Sequence, residues 1–226
     1  MIHLSEKLKE EVAKKVQIRQ AKKRLRWSIP DLDPETYREM FWQLASNYHY
    51  NITKSKFVPK IPDSKQFRTV MNGLYFYLKN PYDWKGLFLF GNYGTGKTMA
   101  VYILAEMLKS VYPKMGYKLV TAREIIQQHI DAYANKNNVN VNLLETVSLL
   151  IIDDLGQEDT DVVNFYGNKI RPLNRIIEER HKNGRLTWFT SNWHPADLST
   201  KYSEYIVDRI RQMCHFYAFN WESFRE

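Results

Sequence analysis

The stretch Leu87-Phe88-Leu89-Phe90-Gly91-Asn92-Tyr93-Gly94-Thr95-Gly96-Lys97-Thr98 decides the fold. Four consecutive apolar residues read as a buried strand. A glycine-rich turn follows, and Thr98–Val111 continues with helical amphipathic spacing. The turn matches G-x-x-x-x-G-K-S/T in the strand–turn–helix context which that motif requires. Its glycines let the backbone wrap so that several N–H groups converge on one anion. The helix behind them adds the positive end of its dipole. On this reading Gly91, Asn92, Tyr93, Gly94, Thr95, Gly96, Lys97 and Thr98 cradle the phosphates of ATP. Lys97 reaches the β- and γ-phosphates, and the Thr98 hydroxyl ligates Mg²⁺.

Downstream of this unit the pattern repeats. Short apolar runs at Lys118–Thr121, Ser148–Ile152, Leu186–Thr190 and His215–Phe219 alternate with helical stretches at Ala122–Tyr133, Phe165–His181 and Ser203–Gln212. Strands that alternate with helices predict an α/β fold, with five parallel strands covered by helices on both faces. Upstream, residues 64–79 read as a helix that stops before Asn80-Pro81. Residues 51–63, with Pro59 and Pro62, read as a linker. A short helix starts after Asp33-Pro34 and turns Phe41, Trp42, Leu44 and Ala45 inward. Residues 5–27 read as a further helix, capped by Ser5 and carrying a narrow stripe of Leu4, Leu8, Val12 and Val16. The expected organisation is a helical N-terminal partner-binding region and linker over 1–63, then an ATPase domain over 64–226.

Composition narrows the class. The chain has 226 residues, 44% of them apolar and 26% charged, which suits a globular domain. Its one cysteine, Cys214, closes no intramolecular disulfide and builds no cysteine-type zinc site. Apolar runs reach about six residues where a membrane span needs about 20. No signal-peptide pattern opens the chain. The expectation is a cytoplasmic protein with no membrane partner. The formal net charge is +8. Residues 1–60 hold 13 Lys/Arg against 7 Asp/Glu, and seven basic residues fall between Lys14 and Arg26 with no acid among them. Such a surface attracts nucleic acid or an acidic protein, or is simply solvated. The apolar stripe beside it favours a protein partner, because phosphate contacts alone would not need one.

Three further signals carry chemistry. Leu149-Leu150-Ile151-Ile152-Asp153-Asp154 is a buried strand that ends in acid, some 55 residues after the phosphate loop. It places Asp153 at the carboxyl edge of the sheet to hold Mg²⁺ and Asp154 beside it to polarise the attacking water. Thr190-Ser191-Asn192 ends the next strand and sets Asn192 where it could orient that water. In Asp208-Arg209-Ile210-Arg211 the two arginines are two apart and cannot share a helix face. For these, a surface ion pair with Asp208 or Glu204 and an arginine finger on a neighbouring subunit's ATP both remain open.

In this order and spacing the signals resemble AAA+ ATPases, and among them the DnaC-type replicative helicase loaders and the IstB-type transposition ATPases. The likeness spans about residues 85–226. It includes the ending Val207-Asp208-Arg209-Ile210-Arg211 and Phe219-Asn220-Trp221-Glu222-Ser223-Phe224-Arg225. The resemblance implies a sheet order of 5-1-4-3-2, Asn192 as first sensor, Arg209 as a finger acting in trans through self-assembly, and Arg225 as second sensor. It implies a chain without the helical lid, since only seven residues follow His215–Phe219. It also implies an extra helix within Gln127–Val141 that helps hold single-stranded DNA. Asp153-Asp154 departs from the common Asp-Glu, which the shorter side chain translates into slower hydrolysis. The function so implied is ATP-dependent loading or remodelling of a hexameric replicative helicase on single-stranded DNA. The alternative is a transposition regulator that assembles on duplex DNA. A small-molecule kinase and a nucleotide-binding scaffold that barely hydrolyses ATP are the remaining classes.

Overall fold

The computed structural model describes residues 28–56, 62, 64–80, 85–134, 141–159, 162–165 and 168–224. Strands are β1 Gly86–Gly91, β2 Tyr117–Thr121, β3 Leu149–Asp153, β4 Val163–Phe165, β5 Asn168–Ile170, β6 Leu186–Ser191 and β7 Cys214–Phe219. Helices are α1 Pro34–Thr53, α2 Lys65–Lys79, α3 Lys97–Val111, α4 Ala122–Ala134, α5 Val141–Thr146, α6 Pro172–Lys182 and α7 Glu204–Met213, with a 3₁₀ turn at Asp197–Thr200. Five strands form one sheet in the order β2-β3-β6-β1-β7. Every pairing within it is parallel. Counting only these five and reading from the other edge, the order is the expected 5-1-4-3-2.

Side-chain alternation along β1 shows how the sheet is covered. Leu87 and Leu89 face one core, which includes Leu149, Ile151, Trp188 and residues of α1, α2 and α3. Phe88 faces the other, with Leu150, Ile152, Phe189 and residues of α4, α6 and α7. Central parallel strands buried on both faces read as continuous apolar runs, and β3 is buried at all five positions.

Two elements differ from the sequence expectation. α1 spans 20 residues and runs through the start of the expected linker to Thr53. Asp33 caps it by accepting from the backbone N–H groups of Glu35 (2.9 Å) and Thr36 (3.0 Å). The helix ends at Lys54, which adopts a left-handed φ of 59°. Leu32, Tyr37, Phe41 and Ala45 join the same core as α2 and α3, while Trp42 and Leu44 are only partly buried against it. Second, the expected helix Phe165–His181 begins at Pro172, because residues 163–165 and 168–170 pair as an antiparallel hairpin. Proline at the first helical position fixes that start. The extra helix expected within Gln127–Val141 falls largely on residues 135–140, which lie outside the described residues. Residues 1–27, with their expected basic helix, lie outside the described residues. No described helix is long and apolar enough to cross a membrane.

Arg180 is wholly buried and ties the second layer together. Its Nε donates to Thr187 Oγ1 at 2.9 Å, Nη2 to the Leu186 carbonyl at 2.6 Å, and Nη1 to the carbonyls of Leu144 (2.8 Å) and Val147 (3.0 Å). It thus satisfies carbonyls at and beyond the end of α5, which are orphaned in any helix. Arg180→Leu is expected to strand these acceptors and cost about 3 kcal/mol or more. At roughly 2–4 °C per kcal/mol for a chain of this size, calorimetry should show a melting temperature about 6–12 °C lower. The partly exposed Arg185, replaced in the same way, is the comparison that should lose much less.

Candidate nucleotide site

β1 delivers the chain to Gly91, and α3 takes it up again at Lys97. Between them Gly91, Gly94 and Gly96 take φ values of 130°, 72° and 86°, a region that side chains disfavour. Gly96 is the N-cap of α3 and supplies no side-chain cap. The first N–H groups of that helix are therefore left for an anion.

Four side chains converge here. Lys97, only 6% exposed, directs its ammonium to the carbonyls of Gly91 (3.0 Å) and Asn92 (2.6 Å) and to Asn192 Oδ1 (2.7 Å). The Thr98 hydroxyl donates to Asp153 Oδ1 at 2.9 Å. Asp153 ends β3 and Asn192 follows β6, so adjacent strands bring both to the same sheet edge. That edge is the carboxyl end of the strands, where open α/β sheets bind ligands. Burial pushes the Asp153 carboxyl above the usual range; the Thr190 hydroxyl works against this, Asp154 adds to it, and the Thr98 hydroxyl works against it.

Thr190 is a member of this group that the sequence reading passed over. Its hydroxyl donates to Asp153 Oδ1 and accepts from the Asp154 backbone N–H at 2.9 Å. One side chain therefore fixes the first carboxylate and the peptide of the second. Asp154 sits at φ 54°, a conformation aspartate tolerates better than most residues. The turn after it is held by Leu155 N–H on the Thr190 carbonyl (2.8 Å) and by Ser191 Oγ on the Leu155 carbonyl (2.6 Å). Buried threonine and serine at a strand's carboxyl end were the available signal.

Beyond Asn192 a cleft of about 490 Å³ opens, lined by Tyr93, Gln157, Trp193 and His194 among others. Tyr93 is 64% exposed at its mouth. Arg209 stands on α7, and among the described residues its hydrogen-bond, charge and ring partners lie on that same helix. Its guanidinium lies 4.6 Å from the Tyr205 ring centroid, 3.3 Å from Gln212 Oε1 and 3.7 Å from Asp208 Oδ2. Arg211 lies 3.9 Å from Glu204. Arg225 is outside the described residues. The structure thus gathers Lys97, Thr98, Asp153 and Asn192, sets Asp154 beside them, and leaves Arg209 on a separate helix.

A triphosphate with Mg²⁺ fits these residues. The loop offers N–H groups and a buried ammonium, and Thr98 with Asp153 offers the hard oxygens Mg²⁺ prefers. Among the described residues no group of three or more His, Cys, Asp or Glu forms a metal cluster. An ion here would complete its shell with phosphate oxygens and water.

The solved DnaC helicase loader superposes with a TM-score of 0.59, at 20% identity over 76% of this chain and 98% of that one. DnaI superposes with a TM-score of 0.52, at 22% identity over 90% of this chain and 93% of that one. The fold is that of AAA+ P-loop domains. AMPPCP-bound DnaA from Aquifex aeolicus shares it, with a TM-score of 0.55 at 19% identity over 72% of this chain and 48% of that one. In sequence, the chain is 30% identical over 118 residues to the chromosomal replication initiator DnaA of Flavobacterium psychrophilum. It is 25% identical over 116 residues to the replicative helicase loader DnaI of Bacillus subtilis. Each match takes in 50% of this chain, but only 23% and 35% of those proteins. No protein-family model matches. The solved structures that share this fold include a form bound to AMPPCP.

Proposed function

We propose that this protein is an AAA+ ATPase that loads or remodels a hexameric replicative helicase on single-stranded DNA. The observation that carries the proposal is the meeting of Lys97 with Asn192 and of Thr98 with Asp153, on a fold shared with helicase loaders. In this reading the loop Gly91–Thr98 binds the phosphates and Lys97 neutralises the terminal ones. Thr98 and Asp153 hold Mg²⁺, which when bound offsets charge on the phosphate oxygens. Asp154 polarises the attacking water and Asn192 orients it. The water oxygen bonds to the γ-phosphorus while the bond to the leaving ADP oxygen breaks. Arg209 of a second copy neutralises the charge that develops. ATP favours the assembled, DNA-gripping state, and hydrolysis releases it. Arg225 is assigned as a second sensor, and the basic stretch Lys14–Arg26 as the helicase contact.

The test is capture of a replicative helicase from the same organism on immobilised protein, with and without ATP. Retention that responds to ATP is expected, together with loss of retention when Lys22, Lys23 and Arg24 are changed to Glu. No retention under either condition would overturn the loader assignment. The match to DnaA over 118 residues favours a second reading, an initiator-like ATPase that acts on DNA directly. That reading gains if the protein binds DNA with ATP while ignoring the helicase. Filaments on duplex DNA would instead point to the transposition-type role.

Thr190→Val tests the acidic pair. It removes the donor to Asp153 and the acceptor for the Asp154 peptide, contacts to charged or buried groups that contribute about 1.5–3 kcal/mol. Turnover at saturating ATP is expected to fall roughly 10- to 100-fold, with nucleotide affinity measured in the absence of Mg²⁺ unchanged.

A further inference from the structure

Beyond β7 the chain does not leave the fold but folds back along the phosphate loop. Asn92 N–H donates to the Phe219 carbonyl at 3.1 Å, and Phe224 N–H donates to the Gly94 carbonyl at 2.9 Å. The Trp221 indole N–H donates to the Thr95 carbonyl at 3.1 Å. The loop is therefore tied at Asn92 to the end of β7 and at Gly94 and Thr95 to the short tail that follows it. The approach is close enough to exclude a side chain at Gly91 and to crowd one at Gly96. A Cβ on Gly91 would lie 2.4 Å from Asn220 Oδ1 and 2.5 Å from the Phe219 carbonyl, and one on Gly96 would lie 3.2 Å from the Phe224 ring. Trp221 is itself anchored. It is 6% exposed, edge-on to Phe67 with centroids 5.1 Å apart, and 4.5 Å from the Phe219 ring.

We propose that Asn220–Phe224 is a strap that holds the phosphate loop in its anion-binding shape, with Trp221 as the positioning residue that sets nucleotide affinity. The proposal rests on reading Gly91–Thr98 as a nucleotide site. A loop with three glycines in eight residues has many accessible shapes. Without ties it would have to be ordered at the moment of binding, and that cost appears as lost affinity. Affinity also falls with the fraction of molecules whose loop is competent. The strap removes both costs by bonding the loop's outward carbonyls and leaving its remaining N–H groups to the phosphates. The tail is thereby a handle: whatever displaces it loosens the loop, and bound nucleotide in turn steadies the tail.

The experiment is calorimetric titration of ATP and ADP into the full chain and two variants. Trp221→Phe keeps an aromatic ring facing Phe67 and removes the indole N–H together with part of the buried ring, a packing loss that the second variant controls for. It should weaken both nucleotides roughly fivefold, the equivalent of one hydrogen bond of about 1 kcal/mol, with kcat at saturation within about twofold. Phe67→Leu loosens the packing behind the indole and leaves its bond; it should lower the melting temperature and leave both affinities unchanged. Unchanged affinity in Trp221→Phe overturns the strap. So does an equal loss of affinity in Phe67→Leu, which would mark a general loss of stability. Wild-type protein that binds no nucleotide overturns the site reading itself, a result distinct from the other two.

Discussion

Arg209→Ala should bind ATP as tightly as the wild type and hydrolyse it about a thousandfold more slowly, the lower end of what an arginine finger contributes. Affinity is spared because, among the described residues, the hydrogen-bond, charge and ring partners of Arg209 are Tyr205, Asp208 and Gln212 on its own helix and not the loop 91–98. Folding is spared for the same reason, since a partly exposed ion pair of this kind contributes about 0–1 kcal/mol. The guanidinium has little to give up when it turns toward a neighbour. Mixing makes the assignment sharper. Arg209→Ala retains a working phosphate loop, and Lys97→Ala retains the finger. Neither turns over alone, but a mixture should regain turnover at interfaces where an intact finger faces an intact loop. A mixture as inactive as its components, or Arg209→Ala with normal turnover, would remove the finger in trans.

Lys97→Ala should lower ATP affinity at least about a hundredfold, since charge-assisted hydrogen bonds contribute about 1.5–3 kcal/mol each. The ammonium is buried and held by Asn92 and Asn192 within 2.7 Å, so it is already placed and little ordering is needed to reach a phosphate. Lys97→Arg should restore little, because a planar five-donor fork does not occupy the space of a compact ammonium. Equilibrium dialysis against labelled ATP checks both. Affinity within threefold of wild type in Lys97→Ala would mean that the triphosphate is not held at this lysine.

The parts of this architecture that could be read from the chain are those with local signatures. Leu87–Phe90 and Leu149–Ile152 announce buried strands by unbroken apolar runs, and Gly91–Thr98 announces its turn by spacing that few other geometries need. The hairpin at Val163–Ile170 was hidden because apolar residues at such short intervals also suit the start of a helix, and pairing between strands leaves no local trace. α1 outran its expected end because nothing before Lys54 stops it; the prolines that suggested a linker come only later. Thr190 reads as an ordinary strand residue until Asp153, 37 residues away, lies beside it. Trp221 enters the sequence reading only as part of the ending Phe219–Arg225, and nothing local shows that its N–H serves Thr95 across 126 residues. The elements that carry the site have local signatures; the non-local polar bonding that fixes it has none.

Crystals grown or soaked with Mg²⁺ and a non-hydrolysable ATP analogue test the central claim most directly. The expected result is the β- and γ-phosphates inside the loop 91–98, Lys97 moved from the Asn92 carbonyl to a phosphate oxygen, and a metal ion between Thr98 and Asp153. A loop still closed on Lys97 at millimolar analogue, or the analogue bound at another surface, would contradict it.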